Sequence, residues 1–203
     1  MALAMSYTWD VFLSYRRKRQ YVDWIDDFFL QRFCDKVSEN LPPEWGDVKV
    51  FVDRQAIQPG AEYRKELADA LATSRCLVPL WAADYFGSSW CYSEWQNFVR
   101  ARGRVVPIQW STHRRFFPAE AEKIEAKDFS SFTLTGEGFR KTEDFVKYQK
   151  TIADFAESVA RVLLDVPPEP TAAFVFSMYT PPSTAASNNR LVTFSSSPML
   201  PAA

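Results

Sequence analysis

Short apolar segments alternate with amphipathic helical segments along the first 165 residues, and this alternation restricts the fold more than any other feature. Four apolar runs enriched in β-branched and aromatic residues predict buried strands, and they cover residues 9–15, 48–53, 76–81 and 105–110. Apolar residues at helical spacing predict helices between and after these strands, over residues 21–37, 62–75, 91–102 and 143–164. Alternation of this kind indicates right-handed crossovers and a parallel sheet covered by helices on both faces.

The stretch between residues 111 and 138 is the least regular part of this region. It contains a helical piece over residues 120–127 and a short run over residues 131–134 that predicts an edge strand. With that strand the sheet has about five strands, which suit the flavodoxin-like order 2-1-3-4-5. We therefore predict one α/β domain over residues 1–165, built on an open parallel sheet.

Residues 166–203 differ from the rest of the chain because they are rich in Pro, Ser, Thr and Ala. Two segments, FVFSMYT at 174–180 and RLVTFSS at 190–196, would fit a small hairpin. A disordered tail or linker is the preferred interpretation, since this composition buries little apolar surface.

Charge and cysteine content exclude several classes of function. With 24 basic and 25 acidic residues the net charge is −1, so no overall field favours nucleic acid or an anionic membrane as a partner. Three widely spaced cysteines without a Cys-x-x-Cys pair argue against a disulfide framework and a zinc site, and favour a reducing compartment. No signal-peptide pattern, membrane-length apolar run or metal-ligand spacing is present in the sequence. We expect a cytoplasmic protein that holds no metal.

Polar and aromatic side chains gather where folds of this type bind ligands, outside the carboxyl ends of strands 1 and 3. We place Glu94 in the first turn of the helix after strand 3, with Ser88 or Ser89 as its cap. Three loops supply the candidate ligand-binding residues, which are Ser14, Tyr15, Arg16 and Arg17, then Asp53, and finally Ser89, Trp90 and Glu94. Hydroxyls, guanidinium groups, rings and a carboxylate therefore converge on one edge of the sheet.

Three segments carry a resemblance to a known family. WDVFLSYRR (9–17) resembles the first box of TIR (Toll/interleukin-1 receptor) domains, and VFVDRQAIQPG (50–60) resembles the second box with its BB loop. SSWCYSEW (88–95) is similar to the helix segment that carries the catalytic glutamate in NAD⁺-cleaving TIR domains. The three occur in the family's order and at about its spacing, so that the resemblance spans roughly residues 8–165.

This resemblance, to bacterial-type NAD⁺-cleaving TIR proteins, implies cleavage of the nicotinamide–ribose bond of NAD⁺. The products would be nicotinamide and ADP-ribose or a cyclic ADP-ribose, with NAD⁺ as substrate and no separate cofactor. Glu94 would then be the catalytic carboxylate, and Ser14 with Arg16 and Arg17 would meet ribose or diphosphate oxygens. Trp90 would stack on nicotinamide or line its slot.

Each candidate residue also has a purely structural interpretation. A carboxylate such as Glu94 in the first turn of a helix is stabilised by the helix dipole alone. Trp90 is equally well explained by packing, and Arg16 and Arg17 by solvation in a loop. Asp53 is expected either to start the turn that follows strand 2 or to take part in the site.

The resemblance further implies self-assembly through the BB loop, where Ile57, Pro59 and Gly60 would contact another TIR domain. A separate sensor or activator protein is a further expected partner, in immune or antiphage-type signalling or NAD⁺ depletion. The alternative function is a non-enzymatic TIR–TIR interaction module, or adaptor.

Overall fold

The computed structural model describes residues 6–53, 61–113, 116–132, 138–167 and 174–182, with the backbone alone for 61–63. Its centre is a five-stranded, all-parallel sheet in the order β2-β1-β3-β4-β5. The strands are β1 (Trp9–Ser14), β2 (Val50–Val52), β3 (Ser74–Trp81), β4 (Ile108–Gln109) and β5 (Lys127–Asp128). The predicted fold class and strand order are thus confirmed.

Helices cover both faces of the sheet. They are α1 (Arg19–Trp24), α2 (Leu30–Glu39), α3 (Ala61–Ala72), α4 (Ser89–Ala101), α5 (Ala119–Glu122) and α6 (Glu143–Leu164). A π-helical segment, Ile25–Phe29, joins α1 to α2. Short 3₁₀ turns occur at Pro43–Trp45, Tyr85–Gly87, Ser130–Phe132 and Phe139–Lys141.

Strand β1 organises the sheet because it pairs with strands on both sides. Val11 is aligned with Val50 of β2 and with Cys76 of β3, and the pairing with β3 continues to Ser14 opposite Pro79. The carboxyl ends of β1 and β3 therefore lie next to each other, and the chain leaves both at the same edge.

Alternate side chains of β1 enter two separate cores. Val11 and Leu13 join the larger core with the aromatic faces of α1, α2 and α6, whereas Phe12 joins the smaller core with α3 and α4. This division follows from the period of two along a strand. Since both faces are buried, the apolar run in β1 is continuous, as is typical of parallel sheets.

The region between β4 and α6 differs from prediction. The predicted strand 105–110 shortens to β4, with one isolated bridge from Val105 to Leu77, because Pro107 has no N–H to donate to the ladder. The helical piece predicted over 120–127 is the four-residue α5.

The prediction of an edge strand over residues 131–134 is wrong for residues 131 and 132, which form part of a 3₁₀ turn, and residues 133 and 134 lie outside the described residues. The Asp128 side chain accepts the N–H of Ser130 at 2.8 Å and turns the chain just after β5. Phe129 and Phe132 then both bury their rings in the larger core. Residues three apart point to opposite faces of a strand but to one side of a helical turn, so the 3₁₀ turn is the conformation that buries both.

Residues 174–182 form an extended segment without strand pairing among the described residues, and they lie against α4. The second half of the hairpin considered above, residues 190–196, lies outside the described residues. Within the part of the chain that the structure describes, no helix has the length and apolarity needed to cross a membrane.

Candidate functional site

A buried hydrogen-bonded chain of three side chains lies at the carboxyl ends of β1 and β3. The Ser14 hydroxyl donates to the Glu94 carboxyl at 2.5 Å, and the Tyr85 hydroxyl lies 2.6 Å from Ser14 Oγ. Because Ser14 has one proton to give, Tyr85 donates to Ser14 when Ser14 donates to Glu94. The exposed fractions are 1% for Ser14, 0% for Tyr85 and 5% for Glu94.

Local sequence explains how Glu94 reaches this position. Ser88 caps α4, its hydroxyl accepting the N–H of Cys91 at 3.4 Å, which confirms the predicted capping at this turn. The helix begins at Ser89, two residues before the predicted start, so Glu94 lies in its second turn. The prediction of a first-turn position is therefore wrong, and the helix dipole, which acts within the first turn, does not account for Glu94.

Burial sets the protonation state of Glu94. Desolvation raises its pKa from 4.5 to about 8, opposed by the Ser14 hydrogen bond and by the positive charge of Arg17, and reinforced by Asp53. The carboxyl group is therefore protonated at neutral pH in this closed arrangement. Carboxyl groups with such displaced pKa values in a crevice are candidates for catalysis.

Two neighbours of Glu94 are kept neutral by burial. Desolvation raises the pKa of Tyr85 well above its usual value, with smaller contributions from Cys91 and Glu94. It also raises the pKa of the Cys91 thiol, and Glu94 reinforces that effect. Cys91 is thus a packing thiol and not a thiolate nucleophile.

Arg17 and Asp53 form one ion pair at the rim of the site. Their closest nitrogen and oxygen lie 3.2 Å apart, and the Tyr15 hydroxyl donates to the Asp53 carbonyl oxygen at 2.7 Å. Their charges act on Glu94, as its pKa shows. Ser14, Arg17 and Asp53 therefore act directly on Glu94, and Tyr15 joins this group through the backbone of Asp53.

Arg16 has a different partner. Its guanidinium pairs with the Asp84 carboxylate at 3.1 Å and donates to the Asp84 carbonyl oxygen at 3.1 Å. Lys18 pairs with the same carboxylate, and the Tyr21 hydroxyl approaches it at 3.5 Å. Asp84 thus fixes the loop after β1 to the loop after β3.

Ser89 and Trp90, which were predicted to bind the substrate, contact residues other than Glu94 and Ser14. Ser89 is exposed at the start of α4, and its carbonyl oxygen accepts the hydroxyl of Ser93 at 2.5 Å. Trp90 stacks on Phe176, with ring centroids 6.3 Å apart, and the Arg64 guanidinium lies 5.8 Å from its ring. Ile57, Pro59 and Gly60 lie outside the described residues.

Among the residues of this site, the sequence places Tyr85 in the crevice loop after strand 3 without assigning it a role, and it does not single out Asp84. Both lie in the loop after β3, which the crevice rule for parallel sheets identifies, but their side-chain directions are not readable from the sequence. The basic run at residues 16–19 was a usable signal for Asp84, because four consecutive basic side chains favour a nearby acidic partner.

The protein is an open parallel α/β domain that carries a buried Ser–Glu pair at the crevice between its first and third strands. The chain belongs to the TIR domain family, whose sequence model matches residues 11–142, more than half of its length. TIR domains include enzymes that cleave NAD⁺ and adaptors that act by contacts between TIR domains.

Solved TIR domains are among the structures similar to this chain. The TIR domain of the Toll-related receptor TRR-2 from Hydra magnipapillata is 16% identical with a TM-score of 0.46, and the match covers 71% of this chain and 98% of that one. The TIR domains of the activated Roq1 resistosome, which recognises the effector XopQ, are 21% identical with a TM-score of 0.36, covering 73% and 84%. No curated protein sequence matches this chain.

Proposed function

We propose that this TIR domain cleaves the nicotinamide–ribose bond of NAD⁺, with Glu94 as the catalytic carboxylate. The observation that supports this most strongly is the 2.5 Å hydrogen bond from Ser14 to Glu94 at the carboxyl edge of β1 and β3. Burial of this carboxyl group, in the second turn of a helix and beyond the reach of its dipole, raises its pKa to about 8 despite the hydrogen bond from Ser14, and carboxyl groups perturbed in this way are candidates for catalysis.

The chemistry requires one carboxylate. Most glycosidases need an acid to protonate the leaving oxygen and a second carboxylate besides. Nicotinamide leaves NAD⁺ as a neutral molecule, taking the electron pair of the broken C–N bond, so no proton has to be supplied. Water then forms the new C–O bond at the anomeric carbon and releases its proton; in cyclisation an adenine nitrogen replaces water. The remaining task is to stabilise positive charge at that carbon, which an ionised Glu94 does electrostatically.

We assign two further roles to the neighbours of Glu94, which are to position its side chain and to bind the diphosphate. Ser14 and Tyr85 fix the Glu94 side chain, because the hydrogen-bonded chain ends on its carboxyl oxygen. Arg17 is the arginine that we assign to the diphosphate, because its positive charge acts on Glu94, whereas Arg16 binds Asp84 in the loop after β3. Glu94 is 5% exposed, so the flanking loops move apart when ribose reaches it.

We expect kcat/KM for NAD⁺ cleavage to fall about tenfold per pH unit below about pH 8, because the free enzyme must lose the Glu94 proton. Tyr85 and Cys91 stay neutral in this range because burial raises their pKa values. The apparent pKa of Glu94 in the pH profile of kcat should be lower than in that of kcat/KM, because the positive charge of the bound substrate favours the ionised carboxylate. Initial rates of nicotinamide release between pH 6 and about 9.5 give the pH profiles of kcat and kcat/KM. A kcat/KM that does not change with pH would contradict the assignment of Glu94 as the catalytic carboxylate.

We also propose that assembly through the BB loop completes the active site, with Ile57, Pro59 and Gly60 at the contact. Specific activity should then rise with protein concentration, and Ile57→Asp should lower it about tenfold at high concentration by placing a charge in the contact. Val146→Asp is the matched control, because Val146 is 66% exposed on α6. Specific activity independent of concentration, in wild type and Ile57→Asp alike, would refute the assembly requirement.

The proposed function also includes a cellular location and a set of binding partners. The free thiols Cys34, Cys76 and Cys91 suit a cytoplasmic location. NAD⁺ and water are the reactants, other copies of the TIR domain are the assembly partners, and a separate sensor protein is the proposed activator in immune or antiphage signalling. Product analysis after incubating the purified chain with NAD⁺ tests this function directly. A chain that assembles but releases no nicotinamide at any concentration would instead be an adaptor.

A further inference from the structure

The outer face of α4 is occupied by the extended segment 174–182, which we call the tail segment. Side chains along it alternate as in a strand: Phe174 and Phe176 pack against the smaller core, whereas Val175 between them is 78% exposed. The family match ends at residue 142, so the tail segment lies outside the matched residues, whereas α4 lies within them.

Two polar side chains of α4 bind the backbone of the tail segment. Asn97 donates from Nδ2 to the Ser177 carbonyl oxygen at 2.7 Å and accepts the Ser177 N–H at 2.9 Å. This reciprocal pair reproduces the hydrogen bonding of a neighbouring strand. One turn earlier on the helix, Ser93 Oγ accepts the N–H of Tyr179 at 2.8 Å.

Both side chains are themselves buried and fixed. Ser93 is 0% exposed and Asn97 is 5% exposed. The Ser93 hydroxyl donates its proton to the Ser89 carbonyl, which leaves its oxygen directed at the tail, and Asn97 also donates to the Ser93 carbonyl oxygen at 2.7 Å. Buried polar groups need partners, and here the partners come from the backbone of an extended peptide.

Aromatic contacts add side-chain selectivity to this backbone recognition. The Phe176 ring stacks on Trp90, and the Tyr179 ring lies edge-on to Tyr92, with centroids 6.4 Å apart. Arg100 donates to the Tyr179 hydroxyl at 2.9 Å and places its guanidinium 5.0 Å from the centre of that ring. Stacking on Phe176, and cation–π and hydrogen-bond contacts to Tyr179, therefore recognise two aromatic side chains three positions apart on one peptide.

We propose that the outer face of α4 is a recognition site for an extended peptide with aromatic residues spaced as Phe174, Phe176 and Tyr179, and that the chain's own tail segment is its reversible ligand. Backbone pairing supplies affinity and the aromatic positions supply specificity, as in peptide recognition by strand addition. None of the described contacts of this site involves Glu94 or Ser14, so peptide binding can be measured without NAD⁺.

Tethering determines how the site behaves in the whole chain. The tail segment begins shortly after α6 ends at Leu164, and a short linker gives an effective concentration of about 1 mM. A free peptide of the same sequence therefore competes poorly with the tethered one. Releasing the tethered segment should make the site available to that peptide.

The test uses the full chain with Ser177→Pro, which removes the N–H that binds Asn97 while remaining compatible with an extended backbone. A fluorescent peptide of residues 174–182 should bind this variant at least about tenfold more tightly than it binds the wild-type chain. Val175→Ser is the matched control: its side chain is exposed, so the tail stays docked and peptide binding stays as weak as in wild type. Adding Asn97→Leu to Ser177→Pro should abolish the gain.

Hydrogen exchange provides a second measurement that needs no added peptide. In the wild-type chain the amides of Ser177 and Tyr179 should be protected, and Asn97→Leu should remove the protection at Ser177 while leaving β1 unchanged. Equal peptide binding by wild type and Ser177→Pro, or unprotected Ser177 and Tyr179 amides in wild type, would overturn the proposal. Neither outcome depends on nicotinamide release, so the failure of this site and the failure of the proposed NAD⁺ chemistry are distinguishable.

Discussion

Glu94→Gln is expected to reduce nicotinamide release from NAD⁺ by about 10³-fold, the scale of losing one preorganised electrostatic group from an active site. Glutamine has the shape of the protonated glutamate and still accepts the hydrogen bond from Ser14. What it removes is the negative charge that faces the anomeric carbon as nicotinamide leaves. The loss should therefore appear in kcat and in kcat/KM together, as for an interaction made in the transition state.

The measurement is chromatographic quantification of nicotinamide at saturating NAD⁺, with Glu157→Gln as the matched control. Glu157 lies on the exposed side of α6, paired with Arg161 at 2.9 Å, so the same chemical change there should leave the rate unaltered. A rate for Glu94→Gln within about tenfold of wild type would remove the catalytic assignment. The TIR fold would then stand without its enzymatic interpretation.

Elements with one clear hydrophobic period could be predicted from the sequence. Helix α6 spans Glu143–Leu164, as predicted, because its apolar positions repeat over six turns before the prolines that follow. Strand β1 was equally readable, since residues buried on both faces give a continuous apolar run. The edge strand predicted over residues 131–134 was wrong where it is described, because tertiary packing buries Phe132 together with Phe129 and this requires a 3₁₀ turn.

The crevice rule predicted which loops would meet, and Ser14 and Glu94 are indeed joined by a hydrogen bond. The rule could not predict the hydrogen-bonded chain through Tyr85, because the sequence does not distinguish a tyrosine whose hydroxyl binds a neighbouring side chain from one that only packs in the core. The contact of the tail segment was hidden for a related reason. Its alternating aromatic residues were visible, but a Pro- and Ser-rich context suggested disorder, and the partner is a pair of polar side chains on a distant helix.

The second large effect expected of Glu94→Gln is on stability, and it needs no substrate. Folding raises the pKa of Glu94 from 4.5 to about 8, so the folded state binds its proton more tightly than the unfolded state does. The stability that this proton contributes is complete below about pH 4.5 and is lost as pH rises to about 8. Glutamine does not titrate, so the Glu94→Gln chain does not lose this contribution to its stability between about pH 4.5 and pH 8.

Relative to wild type, the Glu94→Gln chain should therefore gain on the order of 4 kcal/mol in unfolding free energy between about pH 4.5 and pH 9. Urea unfolding of both chains at several pH values measures this difference, because groups that titrate identically in the two chains cancel. Glu157→Gln is the matched control, because it makes the same chemical change on the exposed side of α6, outside the buried site. If the Glu94→Gln difference were constant with pH, Glu94 would be ionised and solvated in the folded protein. An open, hydrated carboxylate would also remove the reason for expecting NAD⁺ cleavage to rise towards pH 8, so the stability curve and the rate profile must agree.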